Sequence, residues 1–162
     1  MENEPSFNRL KSHKAAKSDW KEILKLLDET KLSYWFSGNE NHKNFYVVKN
    51  QSSKKIIGCF AIYSKGKIGI LKSFAVRKNT QNKGLGKYII DNILPIAGKQ
   101  LGLKKIYGSS YKSAGFWGSR SHIKEVDPLK IKDKYFLEYI SYLNKNYPHY
   151  TKKNKHFLLR IK

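Results

Sequence analysis

Ile70-Leu71-Lys72-Ser73-Phe74-Ala75-Val76-Arg77, followed after three intervening residues by Gln81-Asn82-Lys83-Gly84-Leu85-Gly86-Lys87, decides how this chain is read. An apolar, β-prone run enters a polar turn with two glycines, and the turn opens directly into a helical stripe. The first amides of a helix have no intrahelical partner. The helix dipole adds partial positive charge at the same place. Glycine lets a ligand approach the backbone because no Cβ stands in the way. Together these make an anion site, best suited to a pyrophosphate, with Lys83 and Lys87 adding charge beside it. Gly84 and Gly86 could also be plain punctuation at a helix start. The loop lacks the Gly-Lys-Ser/Thr ending of a P-loop. It also lacks the third glycine of the dinucleotide fingerprint.

Outward from the loop, the pattern is mixed α/β. Phe45 to Lys49, Lys55 to Tyr63 and Ile68 to Arg77 read as three strands separated by short turn clusters, an antiparallel meander. Residues 1–17 are polar and basic, an arm or a first short strand. A helix is expected from Ser18 or Asp19, with Trp20, Ile23, Leu24 and Leu27 on one face and Asp19 and Glu22 as a reciprocal cap. After the loop, Leu85, Tyr88, Ile89, Ile93 and Leu94 stripe a helix to about Lys99, which Pro95 should end or kink. Lys104 to Ser110 reads as a strand, Ser113 to Arg120 as a short helix and Ile123 to Val126 as a short strand. Tyr135, Phe136, Tyr139, Ile140 and Leu143 mark a further helix, and His156 to Ile161 a closing strand. No repeat or linker is visible. A single domain over 1–162 is expected, with 127–154 an extended helical insertion before the last strand.

Composition bounds the rest. The 162 residues suit one core. No apolar run approaches the roughly 20 residues of a membrane span. The start lacks the basic and apolar regions of a secretory signal, so a cytoplasmic location is expected. One cysteine, Cys59, excludes an intrachain disulfide, and its apolar surroundings suggest a buried thiol. The five histidines show no ligand spacing, so no metal site is expected. Lys and Arg number 33 against 12 Asp and Glu, a formal +21. A nucleic-acid partner would exploit that field. The competing reading is a lysine-rich surface plus an anionic cofactor, since lysines are spread along the chain and arginine forks are few.

Gln81-x-x-Gly84-x-Gly86 after Phe74-Ala75-Val76 resembles the Gln/Arg-x-x-Gly-x-Gly/Ala motif of the GNAT superfamily of N-acetyltransferases. Ala114-Gly115-Phe116-Trp117 stands where that family usually has Ala-x-x-Phe-Tyr, and Glu125-Val126 where a Glu-Val strand often follows. The resemblance covers about residues 18–126 and the closing strand. It implies a mainly antiparallel sheet with splayed central strands, flanked by helices. It also implies acetyl-CoA as cofactor and direct acetyl transfer to a primary amine. The backbone of Gln81, Asn82, Lys83, Gly84, Leu85, Gly86 and Lys87 would hold the pyrophosphate. Phe74, Ala75 and Val76 would pair with the pantetheine arm, as a peptide adds to a strand. Ser110, Ser113 and Trp117 would line the cofactor's far side. A weaker resemblance links the chain to the small GNAT enzymes that acetylate amino acids, grouped with arsenic-resistance acetyltransferases.

The resemblance also locates the chemistry. The Val76 amide would donate to the tetrahedral oxyanion. The tyrosine that often protonates the leaving thiolate is replaced by Trp117, which leaves Tyr111 as the nearest substitute and Ser113 or Ser119 behind it. The glutamate that many members carry on the strand before the loop is replaced by Ile70. A water chain, His122 or Glu40 could carry the proton instead. Lys72 could lower the pKa of a substrate ammonium or pair with a substrate carboxylate, and the second is the hypothesis taken. For the insertion, Tyr135 and Tyr139 could pack the helix on the sheet, or the segment could form a wall over the acceptor site. The acceptor is expected to be a small amine or amino acid. An RNA-borne or protein amine, and a CoA-binding module without activity, stand as alternatives. Monomer and homodimer both stay open.

Overall fold

The computed structural model describes residues 7–32, 40–110, 114–118, 120, 122–151 and 154–162. Among the described residues seven strands join in the order β1-β2-β3-β4-β5-β7-β6, with helices between them. The chain divides into two compact units, one formed by Met1–Ile62 with Lys72–Ile96 and the other by Tyr63–Leu71 with Ala97–Lys162.

In the first unit β1 (Leu10–Lys14) pairs antiparallel with β2 (Phe45–Asn50), and β2 with β3 (Ile56–Lys65), with a register shift at Val48/Lys49. The end of β4 (Ile68–Val76) closes on β3 through the Arg77 amide, which donates to the Ile57 carbonyl at 2.8 Å. β2 and β3 are near-continuous apolar runs because their residues are buried on both faces. Helix α1 (Trp20–Glu29) buries Ile23, Leu26 and Leu27 completely and exposes Lys21 and Lys25, as its 3.6-residue period requires. Each such burial is worth roughly 1.5–3 kcal/mol.

The expected cap at the start of α1 is not the one that forms. Asp19 is itself helical and makes no side-chain cap to α1. A 3-10 turn, Lys17–Asp19, precedes it, and the Asp19 carboxylate reaches back to the Ala16 amide at 2.8 Å. Lys49 takes the other oxygen at 2.7 Å. Glu22 is drawn elsewhere: it accepts from the Ile56 amide at 2.9 Å and pairs with Arg77. Tertiary partners outcompeted the local box.

After the loop, α2 (Leu85–Tyr88) runs into a π turn, Ile89–Ile93, and then α3 (Leu94–Gln100). Pro95 therefore does not end the helix. A proline removes one amide donor and crowds the preceding turn, and the wider π turn stands just upstream of it, where such crowding falls. Gly58 of β3 matters here, because a Cβ at that position would stand 3.0 Å from Ile89 Cδ1.

In the second unit the turn between β3 and β4 passes through Gly66 at φ 60. β4 pairs in parallel with β5 (Lys105–Ser110) from Ile68↔Lys105 to Ile70↔Tyr107, where the described register ends. β7 (Lys155–Arg160) lies antiparallel between β5 and β6 (Ile123–Val126). Helix α4 (Ala114–Gly118) precedes β6; α5 (Lys134–Asn146) and the short α6 (Pro148–Thr151) precede β7. Ile70, Tyr107, Phe136 and Leu158 form the core under α5, with Tyr135, Tyr139 and Ile140 packed on it. Phe136 stacks on Tyr107 at 4.3 Å and 10°. Tyr135 and Tyr139 thus dock the insertion on the sheet. Among the described residues no helix is long and apolar enough to cross a membrane.

Candidate functional site

The loop after β4 is built as the sequence requires. Lys78–Thr80 form a 3-10 turn, and the Thr80 hydroxyl donates to the Arg77 carbonyl at 2.7 Å. Gln81 is extended at φ −68, ψ 152, and its side-chain amide donates to the Val76 carbonyl at 2.9 Å. Asn82 (φ 61) and Gly84 (φ 82) both take the left-handed region, where asparagine and glycine are the least strained residues. The second of these reversals delivers the backbone into α2, whose first bond runs from the Tyr88 amide to the Gly84 carbonyl at 2.9 Å. Gln81 to Gly84 and Lys87 are exposed, Gly86 is half-buried and Leu85 is anchored inside. Phe7 lies 3.6 Å from the position a Gly84 Cβ would take, and stacks on Tyr88 at 4.7 Å. A helix start open to solvent beside two lysines can receive an anion.

Phe74 is half-buried, and Ala75 and Val76 are buried, at the end of β4. Ser73, just before them, sits at φ 54, uncommon for any residue but glycine. Its carbonyl accepts the Cys59 thiol at 3.8 Å. Burial pushes the Cys59 thiol up to about 12, so it stays protonated. Lys72 is half-buried, and burial holds its ammonium below the usual lysine range; the nearby Glu40 carboxylate opposes that shift. The structure therefore brings together two residues that sequence reasoning had weighed separately.

The second unit holds the other expected site residues. Ser110 ends β5, paired in register with Lys155. Trp117 is half-buried on α4, with its indole 6.3 Å from Phe157 and 5.6 Å from Phe116. His122 is exposed before β6. Tyr111, Ser113 and Ser119 lie outside the described residues.

Two polar constellations in this unit were not anticipated. Ser109 Oγ and His156 Nδ1 are 2.7 Å apart, and the imidazole stands edge-on to Phe136 at 5.7 Å. Burial lowers the His156 pKa, which favours the neutral ring. The second is Tyr107, whose hydroxyl donates to Asp133 while Lys105 donates to the same carboxylate oxygen at 3.0 Å. The Tyr107 bond, aided by Lys105 and Arg160, outweighs the opposing effect of burial and lowers the Asp133 pKa. Burial first, and then Asp133, raise that of Tyr107. Each group comes from segments far apart in sequence, so spacing carried no signal for either.

Known proteins can be set beside this geometry. Residues 11–117, more than half of the chain, match the sequence model of the Acetyltransferase (GNAT) family. No curated protein matches the sequence. Rv2747 of Mycobacterium tuberculosis, solved in complex with CoA and NLQ, is similar at TM-score 0.71 and 19% identity, covering 94% of this chain and 99% of that one. An acetyltransferase of the GNAT family from Staphylococcus aureus Mu50 gives TM-score 0.64 and 14% identity over 94% of this chain and 99% of its own. N-acetylglutamate synthase from Neisseria gonorrhoeae, complexed with coenzyme A and N-acetyl-glutamate, gives 0.69 and 15% over 94% of this chain. The chain spans only 35% of that protein's length. At such identities the structural likeness speaks for the fold, and the sequence match decides the family: this chain belongs to the GNAT family of acetyltransferases.

Proposed function

We propose that the chain is an acetyl-CoA-dependent N-acetyltransferase that moves the acetyl group directly onto the primary amine of a small, amino-acid-like acceptor. The observation that carries this is the loop itself: Gln81 tied to the end of β4, and left-handed Gly84 opening α2, both inside the span that matches the family. In this reading the amides of Asn82 to Gly86 hold the pyrophosphate, with Lys83 and Lys87 supplying charge and Gln81 fixing the loop. Phe74 to Val76 pair with the pantetheine arm, and Ser110, Ser113 and Trp117 lie along it. The Val76 amide stabilises the oxyanion, and Tyr111 returns a proton to the thiolate.

Direct transfer suits the chain because its single cysteine stays protonated, and only the thiolate is a nucleophile. Lys72, with Glu40 beside it, supplies the charge for an acceptor carboxylate. The preference for an amino acid draws on the weaker resemblance to amino-acid acetyltransferases. It also draws on the neighbours solved with N-acetyl-glutamate and NLQ.

The test is thiol release from acetyl-CoA in the presence of each of the common L-amino acids and a set of small aliphatic amines. One acceptor or a related group should stimulate release at least tenfold over the acceptor-free rate, with a mass gain of one acetyl group. Background release with every acceptor, from protein that binds CoA, would leave a CoA-binding module instead.

A further inference from the structure

The second unit collects cations at one end of its sheet. Lys65 ends β3, Lys67 stands in the turn into β4, Lys104 precedes β5, and Arg160 and Lys162 end and follow β7. These strand ends are hydrogen-bonded in a row: the Lys104 amide donates to the Lys67 carbonyl at 2.8 Å, and the Ile161 amide to the Lys104 carbonyl at 2.9 Å. Neighbouring strands stand about 4.8 Å apart, so their terminal side chains lie close enough to meet successive phosphates. The end of α3 joins them. A Cβ on Gly98 would meet Ile106 and Ile161 side chains at 2.9 Å, which places the adjoining Lys99 at the same rim. All six cations are exposed. The described contacts place Asp133 here as a counter-charge, and its carboxylate is engaged by Lys105 and Tyr107.

The rim gathers six of the chain's 33 lysines and arginines. Among the acids elsewhere, Asp19 is engaged by Lys49, Glu22 and Glu29 by Arg77, and Glu125 by Lys155. We infer that this end of the sheet, opposite to the Ser110 end of β5, is a docking surface for the phosphate backbone of a folded RNA. The inference stands apart from the acetyl-transfer reading. Lysine ammoniums position a polyanion without reading its bases, and double-helical RNA is recognised largely through shape and phosphate contacts. A lipid surface would call for apolar side chains among the cations. Among the described residues, the exposed large apolar side chains Leu24, Leu129 and Tyr142 lie outside these elements, and Ile96 is the one that shares a rim element, on α3 three residues before Lys99. Tyr107, the aromatic ring nearest in sequence to the rim of β5, is buried and is not available for base stacking.

The experiment compares two variants of the full chain with equal charge. One carries Lys65→Gln, Lys67→Gln, Lys104→Gln and Lys162→Gln; the other carries Lys11→Gln, Lys14→Gln, Lys21→Gln and Lys25→Gln, all exposed positions in the first unit. Binding of bulk tRNA is followed by gel shift at 150 mM salt and across a salt series, with a DNA duplex and phosphatidylserine vesicles as parallel probes. Circular dichroism confirms that both variants are folded. The rim variant should lose at least about tenfold in tRNA affinity and flatten the salt dependence by several counterions; the control should lose less than about threefold. Equal losses in the two variants, no tRNA retardation by the parent chain, or tighter binding to the DNA or the vesicles than to tRNA would each overturn the proposal.

Discussion

The side-chain amide of Gln81 donates to the Val76 carbonyl at 2.9 Å and thereby ties the start of the exposed loop to the last residue of β4. A single bond of this kind is worth about 1 kcal/mol. Gln81→Ala should therefore raise KM for acetyl-CoA roughly fivefold while kcat stays within about twofold, in line with that magnitude. Gln81→Glu, which sets a carboxylate against a carbonyl, should do worse. Steady-state titration of acetyl-CoA checks both; an unchanged KM in Gln81→Glu would mean the loop holds its shape without this bond.

Gly58 and Ile89 should behave as one packing unit. A Cβ at Gly58 would stand 3.0 Å from Ile89 Cδ1 and 3.4 Å from the Ala75 carbonyl. Overfilling of this kind costs about 1–3 kcal/mol. Gly58→Ala should be destabilising alone and markedly less so in combination with Ile89→Val, which removes the facing methyl. Urea midpoints of the four proteins give the coupling. Strict additivity would show that the helix yields without relying on that contact.

His156 makes stability fall on the acid side. Burial lowers its folded pKa below the ordinary 6.5, so the unfolded chain binds the proton first as pH drops. The contribution is complete above about pH 6.5, and it is lost as pH falls through the folded value. Urea unfolding at pH 7.5 and 5.5 should show a larger acid loss for the parent than for His156→Gln. Equal losses would place the sensitivity in other groups.

Cys59 should resist alkylation in the native state. Its thiol, pushed up to about 12 by burial, is protonated at pH 8. The native rate with iodoacetamide should trail that of the urea-unfolded chain by a factor on the order of a thousand. The raised pKa also predicts stability lost as pH climbs from about 9, where the unfolded thiol ionises, toward 12. Rapid native labelling would contradict the buried placement.

The local elements were legible because their signals are local. The apolar, β-prone runs of Phe45 to Val76 and the turn clusters between them, the two glycines after them, and the apolar stripes of α1 and α5 depend on neighbours within a turn or a strand. So does the loop, where Asn82 and Gly84 are the residue types that tolerate left-handed backbone. What failed was decided across the chain. Asp19 and Glu22 read as a cap, yet Lys49, Ile56 and Arg77 offered them better partners. Pro95 read as a stop or a kink; the helix does not stop there but passes through a π turn just upstream and continues.

By itself, then, the sequence determined the strand–loop–helix start and the family that goes with it. Only the tertiary structure set Ser109 against His156, Lys72 beside Glu40, and the cations of β4, β5 and β7 along one rim. Sheet pairing joins residues dozens of positions apart, and the electrostatics of a buried side chain depend on what folds against it, neither of which any local spacing records.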